Sequence, residues 1–415
     1  MTLKSKMSVK KSNHIAIDKK SSEKIPNVDN AYRIAERLAF PRLIGTEGEK
    51  KAKEIVIDEF KKVGFNSVYR ESFKTSFYIW IVLRYAFIPL GICLLSLAVS
   101  FFMNYWFSLV LVLVSLFIGV RILGLATSSE IKLLKNEEKN FPTENIYIEF
   151  KSKNSRAKVI FMGHWDSKSQ TFPSSIRIIL FMITLFSFTI MLLLYFILSI
   201  IQLIFPFNNQ ILNYSMLYIS VVIIILSNLN YFNKTGNKSP GAYDNAAAVG
   251  VIVELSKYFR NNSLDNIDFL FLCTSSEELN LGGATNFIQK HKNELEKNST
   301  YFINLDPIGG QDFIRLITSY GIPRRSSSKK LTKLFLDSAN ELNIKIKDIY
   351  LPTGAWSDYM PIVQAGFEAC WLGSQPGLKY VHTKKDDMHL VSKKGIKYTL
   401  LLCVDVANKL NNEFN

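Results

Sequence analysis

Lys158-Val159-Ile160-Phe161-Met162-Gly163-His164-Trp165-Asp166-Ser167 is the stretch on which the fold turns. The apolar, β-branched and aromatic run predicts a strand over Lys158–Met162. Beyond it, alternation puts His164 and Asp166 on one face. One can then ligate a metal while the other orients it. Working outward, the same design recurs. Asp268–Thr274 reads as a strand that ends in Ser275-Ser276-Glu277-Glu278. Tyr301–Asp306 reads as another, closed by Asp306-Pro307. Ile146–Phe150, Phe313–Thr318 and Glu368–Leu372 complete the predicted strands. Helices are predicted over Ala246–Tyr258, Gly282–Lys290, Ser328–Asn340 and Lys393–Leu410. This alternation implies an α/β fold, a three-layer sandwich with a mostly parallel central sheet. In such sheets sites form at the carboxyl ends of strands.

Towards the N-terminus, Asn30–Gly64 carries a helical pattern broken by the turn Pro41–Gly48, and a short strand follows around Ser67–Ser72. Residues 1–28 are rich in Lys and Ser and read as a disordered basic tail. They hold no apolar run, so no secretory signal peptide is expected.

Two apolar blocks interrupt the α/β pattern. The first, 77–126, divides into Phe77–Phe102 and Trp106–Ala126 around Met103-Asn104-Tyr105. The second, 176–232, divides into Ile176–Phe205 and Ile211–Leu229 around Pro206-Phe207-Asn208-Asn209-Gln210. Each piece reaches the roughly 20 residues needed to cross a bilayer. They read as four transmembrane helices inserted as two hairpins. Arg84, near the end of the first, is expected to snorkel. The remaining segments, 29–76, 127–175 and 233–415, form one domain. Neither hairpin turn carries Lys or Arg, whereas Lys74, Arg84, Arg121, Lys132, Lys135, Lys168, Arg177, Lys234 and Lys238 lie at the opposite ends. The positive-inside rule then places the domain in the cytoplasm, below the cell (inner) membrane.

Composition narrows the partners. Hydrophobic residues make up 48% and the formal charge is +15. No basic stripe with interleaved aromatics appears, so nucleic acid is not an expected partner. Anionic lipid headgroups account for the charge more simply. Cys93, Cys273, Cys370 and Cys403 show no metal or redox spacing and read as buried thiols. His14, His291 and His389 read as solvated.

The chemistry lies in His164, Asp244, Glu277, Glu278, Asp306 and His382, with Asp386 or Asp387 close behind the last. Asp244, in the tight turn Gly241-Ala242-Tyr243-Asp244-Asn245, can present both carboxylate oxygens and bridge two cations. Of the pair Glu277-Glu278, one can bind metal while the other moves protons. Two imidazoles and three carboxylates suit a pair of zinc ions sharing one carboxylate.

In order, the His-x-Asp-Ser motif, the Gly-Ala-x-Asp-Asn turn, the Glu-Glu pair, the Asp after an apolar strand and the late His-Thr resemble the M28 family of zinc exopeptidases. The resemblance covers roughly 30–75, 145–170 and 235–412, outside the hairpins. It implies two Zn²⁺ ions and a peptide substrate. Asp244 would bridge the ions, His164 and Asp306 would complete one site, and Glu278 and His382 the other. Glu277 would be the general base, Asp166 would hold the His164 ring, and Asn245 would sit behind Asp244. Ser357-Asp358 resembles a stretch near the pocket, with a helix N-cap as the alternative. Two features depart from the family: Val381 stands where an aromatic residue often precedes the last His, and the 176–229 hairpin replaces a short loop. The hairpin suggests a site facing the bilayer surface. A mononuclear glutaminyl cyclase is the competing enzyme. It shares the His-x-Asp-Ser-Lys run seen at His164–Lys168 and would use Asp244, Glu278 and His382. An inactive binding protein on this fold is the third reading.

Overall fold

The computed structural model describes residues 25–414 except 66, 127–129, 207–208, 311–312, 322, 353–355 and 376. Most of the expected basic tail, His14 and the middle of the second hairpin turn, Phe207-Asn208, lie outside the described residues.

Eight strands and a two-residue strand, Arg325–Ser326, form the main sheet. They are β1 (Tyr69–Ser76), β2 (Asn140–Phe150), β3 (Ala157–His164), β4 (Ile267–Thr274), β5 (Thr300–Leu305), β6 (Ile314–Tyr320), β7 (Ile346–Leu351) and β8 (Glu368–Ser374). Their order is β1-β2-β4-β3-β5-β8-β6-β7. The centre, β4-β3-β5-β8, is parallel throughout. β1 and β2 add antiparallel strands at one side, and β8 meets β6 antiparallel at the other.

The helices are α1 (Val28–Leu38), α2 (Glu47–Val63), α3 (Tyr78–Tyr85), α4 (Phe87–Met103), α5 (Tyr105–Ala126), α6 (Ser174–Ile204), α7 (Gln210–Asn228), α8 (Ala247–Asn261), α9 (Gly282–His291), α10 (Lys329–Glu341), α11 (Tyr359–Gln364) and α12 (Lys393–Glu413). Asn27 and Thr46 cap α1 and α2 through their side chains. Both faces of the sheet are covered. Val159 and Phe161 of β3 pack with α1, α2, α8, α10 and α12, while Ile160 and Met162 pack with α9 and α11. A strand buried on both faces has no polar alternation to show, hence the continuous apolar run. Phe161, Phe259, Phe269 and Phe271 stack within the first layer. Burying each such ring is worth about 1.5–3 kcal/mol.

Sequence patterning missed β7 and α11. Edge strand β7 pairs only with β6 and carries Lys347 and Asp348, so its apolar signal is thin. α11 spans 6 residues, less than two turns. β1 and β2 also run longer than expected, because their paired polar ends carry no apolar periodicity.

Among the described residues, four helical stretches are long and apolar enough to cross a membrane: Tyr78–Met103, Tyr105–Ile122, Ser174–Ile204 and Gln210–Phe232. Leu94, Phe101, Val112, Met191, Tyr195, Met216 and Ile223 pack them into a bundle. Trp106, Phe117, Phe186, Ile211 and Tyr218 are exposed around it. The first stretch breaks at Ala86, between α3 and α4. Pro89 explains this, since it cannot donate to the carbonyl four residues back. Arg84 Nε donates to the Tyr231 carbonyl at 2.7 Å and its guanidinium lies 4.4 Å from the Tyr231 ring centre. α6 has 31 residues. At 1.5 Å per residue it runs about 46 Å, well beyond a hydrocarbon core of about 30 Å.

His291 is not solvated as expected. Its Nε2 lies 2.8 Å from Glu71, whose carboxylate is buried between β1 and α9. Cys273, Cys370 and Cys403 are buried and Cys93 half-buried, all as free thiols.

α1 crosses α8 so closely that a Cβ on Gly250 would stand 2.2 Å from the Ala31 carbonyl oxygen. Neither helix can yield without disturbing the sheet beneath. Gly250→Ala is expected to cost about 1–3 kcal/mol. Gly119→Ala, with no atom within 4 Å of its Cβ, serves as the neutral control. Thermal unfolding in detergent reads both.

Candidate metal centre

Parallel register brings the residues together. β3 pairs with β4 so that His164 stands beside Thr274. β3 pairs with β5 up to Met162 and Asn304, and two residues further on come His164 and Asp306. Glu277 and Glu278 follow the end of β4, in a short turn entered through Ser276 at φ 61°. Asp244 arrives from the turn before α8, where its peptide to Asn245 is cis. His382, at φ 64°, comes from the loop after β8. Such left-handed angles are uncommon for residues other than glycine and are held here by their surroundings.

Two groups result: His164, Asp244 and Asp306, and Asp244, Glu278 and His382. Within each, one potential ligand atom per residue lies within 4.8 Å of the others. His164 Nε2 is 3.0 Å from Asp244 Oδ1 and 3.5 Å from Asp306 Oδ1. His382 Nε2 is 3.0 Å from Glu278 Oε2 and 3.4 Å from Asp244 Oδ2. The two Asp244 oxygens thus face different imidazoles. His164 Nε2 and Glu278 Oε1 are buried without a hydrogen bond. Orphaned donors around a shared carboxylate, all hard or borderline ligands, fit a pair of divalent cations.

A polar framework holds these groups. The Asp166 carboxylate accepts the amides of Glu277 at 3.2 Å and Glu278 at 3.3 Å. The His164 ring meets Asp166 on both counts, with Nδ1 3.1 Å from its carbonyl oxygen and 3.6 Å from Oδ1. Asp386, and not Asp387, reaches the centre: it accepts the amides of Tyr243 and Asp244. Asp387 caps a short turn near His389. Asn245 donates to the Leu305 carbonyl at 2.7 Å. Ser174, the first residue of α6, sits 2.9 Å from His382 Nδ1. The Ser357 hydroxyl donates to Asp306, and Thr274 donates to Asp358. Asp358 occupies the N-cap position of α11 but makes no side-chain cap.

Electrostatics divide the carboxyls. Burial pushes Asp244 up, but His164 and His382 outweigh it and hold it well below the usual range. Burial also opposes ionisation of Glu278, yet His382 and Lys168 bring it down to about 2. Glu277 goes the other way: burial first, then Asp306, Glu278 and Asp358, push it well above the usual range against His164. Burial pushes Asp358 up to about 7.

Four participants escaped sequence reasoning. Arg42 is fully buried and donates to the carbonyls of Leu38, Phe40, Trp165, Pro240 and Gly241, tying the turn before α2 to the Asp244 turn. Burial lowers its pKa to about 10 against the pull of Asp386, Asp166, Asp244 and Glu278. Lys168 Nζ lies 2.7 Å from Glu278 Oε2. Trp80 of α3 donates its indole N–H to the Glu278 carbonyl at 2.8 Å, and Ser174 lies just before the second apolar block. Only the Lys168 position carried a signal, within the His-x-Asp-Ser-Lys run.

Residues 227–407 match the model of "Peptidase family M28". That match covers less than half of the chain, and over it the chain is similar to peptidase family M28. A Bacillus subtilis relative, "Aminopeptidase YwaD", is 25% identical over 165 residues. That segment covers 38% of this chain and 35% of the relative, so the match spans about a third of that curated protein. Among solved structures, an aminopeptidase from Aneurinibacillus sp. strain AM-1 shares the fold with a TM-score of 0.54 and 14% identity, covering 93% of this chain and 94% of that one. A glutaminyl cyclase from an Acidobacteriales bacterium has a TM-score of 0.54 at 12% identity, covering 95% and 98%. These likenesses show a shared fold.

Arg42 satisfies carbonyls that no other described side chain reaches. Arg42→Met is expected to destabilise the chain by about 3–5 kcal/mol. Arg42→Lys should recover little, since one ammonium cannot span both turns. Denaturant unfolding measures the loss.

Proposed function

We propose that this protein is a membrane-anchored dinuclear zinc aminopeptidase that removes N-terminal residues from peptides. The observation that carries the reading is Asp244, whose two carboxylate oxygens face the separate imidazoles of His164 and His382. His164 and Asp306 would hold one ion, Glu278 and His382 the other, with Asp244 shared. Bound zinc would supply Lewis acidity, activating water and polarising the scissile carbonyl. Glu277 is the proton carrier. Its raised affinity for a proton supports accepting one from the attacking water and returning it to the leaving amine. Asp166 keeps Glu277 and Glu278 in place through their amides. Asp306 is oriented by Ser357, which in turn accepts from Asn304 at 2.6 Å.

One observation favours a second reading. Lys168 engages Glu278, and the same His-x-Asp-Ser-Lys run marks glutaminyl cyclases. A mononuclear centre of Asp244, Glu278 and His382 would then serve acyl transfer.

The four apolar helices would cross a bilayer, with the catalytic domain on the cytoplasmic side. The feet of both hairpins reach the centre, Trp80 at Glu278 and Ser174 at His382. That supports a site opening toward the membrane surface.

Metal content per chain separates the two enzymes. After dialysis against trace zinc, two ions per chain are expected, falling toward one in Asp306→Ala. One ion in both would move the assignment to the cyclase chemistry. Glu277→Gln should keep its metal and lose about 10²–10⁴-fold in kcat. For topology, a cysteine placed at Asn104 should be shielded from an impermeant thiol reagent added on the cytoplasmic side of inverted vesicles. Labelling there would reverse the orientation.

A further inference from the structure

The first turn of α6 carries a cation that the metal centre does not use. Ser174 touches His382, and Arg177 follows three residues later on the neighbouring face of the helix. Ser174 and Thr184 are buried and Arg177 and Phe181 half-buried, whereas Ile176, Ile179 and Ile183 are exposed. Arg177 therefore belongs to the inward face of α6, away from the apolar exterior. Its guanidinium lies 5.5 Å from the Trp80 ring centre. That indole is itself fixed by its hydrogen bond to the Glu278 carbonyl, with the Lys168 ammonium 4.2 Å from its centre. Arg177 acts electrostatically on Glu278 and Glu277. Yet among the described residues no carboxylate comes within ion-pair distance of it, and none of its side-chain N–H groups has an acceptor.

A half-buried guanidinium whose N–H groups have no acceptor among the described residues is free to meet an anion. Glu278 is already taken by Lys168 and His382. The planar fork matches a carboxylate through two parallel hydrogen bonds, and the Trp80 ring 5.5 Å away attracts the guanidinium. We propose that Arg177 receives a carboxylate of the substrate. The proposal rests on the peptidase reading and narrows it. The site would favour peptides with an anionic group close to the scissile bond, supplied either by an acidic N-terminal residue or by the free C-terminus of a di- or tripeptide. A phospholipid phosphate is the competing occupant. The inward placement of Arg177 and its position beside the metal centre favour the peptide.

The test uses the full chain in detergent with zinc, in a Glu277→Gln background so that bound peptides persist. Calorimetry compares Ala-Ala with Ala-Ala-amide and, separately, Glu-amide with Gln-amide. The pair whose acid member binds about tenfold or more tightly identifies the source of the carboxylate. Arg177→Met should bring that ratio close to one, and Arg177→Lys should restore only part of it. Arg177→Gln, read in the same way, covers a poorly folded Met variant. No acid preference in either pair, or a preference that survives loss of Arg177, overturns the proposal. So does an unfolding temperature that depends on Arg177 only in phosphatidylglycerol nanodiscs and not in phosphatidylcholine, with the peptide ratios unmoved. An intact, Arg177-dependent acid preference in a chain whose native form hydrolyses none of these peptides would leave the carboxylate receptor standing and sink the peptidase reading.

Discussion

Asp166, Asp244, Glu278, Asp306, Asp358 and Asp386 are buried together with the nearly buried Glu277, and their mutual repulsion is the constraint that organises the rest. A cluster of this kind folds only if each charge is neutralised, protonated or hydrogen-bonded. The chain uses all three routes. Imidazoles flank Asp244, backbone amides hold Asp166 and Asp386, and Lys168 and Arg42 supply positive charge. Glu277 and Asp358 take the remaining route and hold protons more tightly than ordinary carboxyls. A cation pair bound at Asp244 would complete the balance.

The hairpins are part of that balance. α6 exceeds the length a bilayer requires, and its surplus first turn ends against His382. The break at Ala86 frees α3 to lean on the centre through Trp80. Thus the apolar helices and the α/β domain share contacts at the site itself. Trp80, Ser174 and Arg177 all belong to the feet of the hairpins. Any specificity peculiar to this chain is best sought in those three residues.

Much of the fold and the centre was legible in the residues alone. A strand buried on both faces reads as a continuous apolar run, and site residues gather at the carboxyl ends of such strands. Hence Val159–Met162 before His164, Leu270–Cys273 before Glu277-Glu278, and Tyr301–Leu305 before Asp306 could each be read. So could the four long apolar stretches, because bilayer thickness sets their length. Edge strand β7 and the short α11 could not, since β7 has no buried face and α11, at 6 residues, is too short to leave a period.

What the sequence by itself determined was which His, Asp and Glu side chains follow the buried strands and where the long apolar stretches lie, both set by local pattern. Only the tertiary structure decided which oxygen of Asp244 faces which imidazole, and that Asp386 reaches the turn while Asp387 does not. It alone showed that Arg42, Trp80, Lys168 and Ser174 join the centre. The reason is physical. Ligand type and burial leave a mark on neighbouring residues, but pairing across 100 or more positions depends on sheet register and helix length, which no single segment encodes.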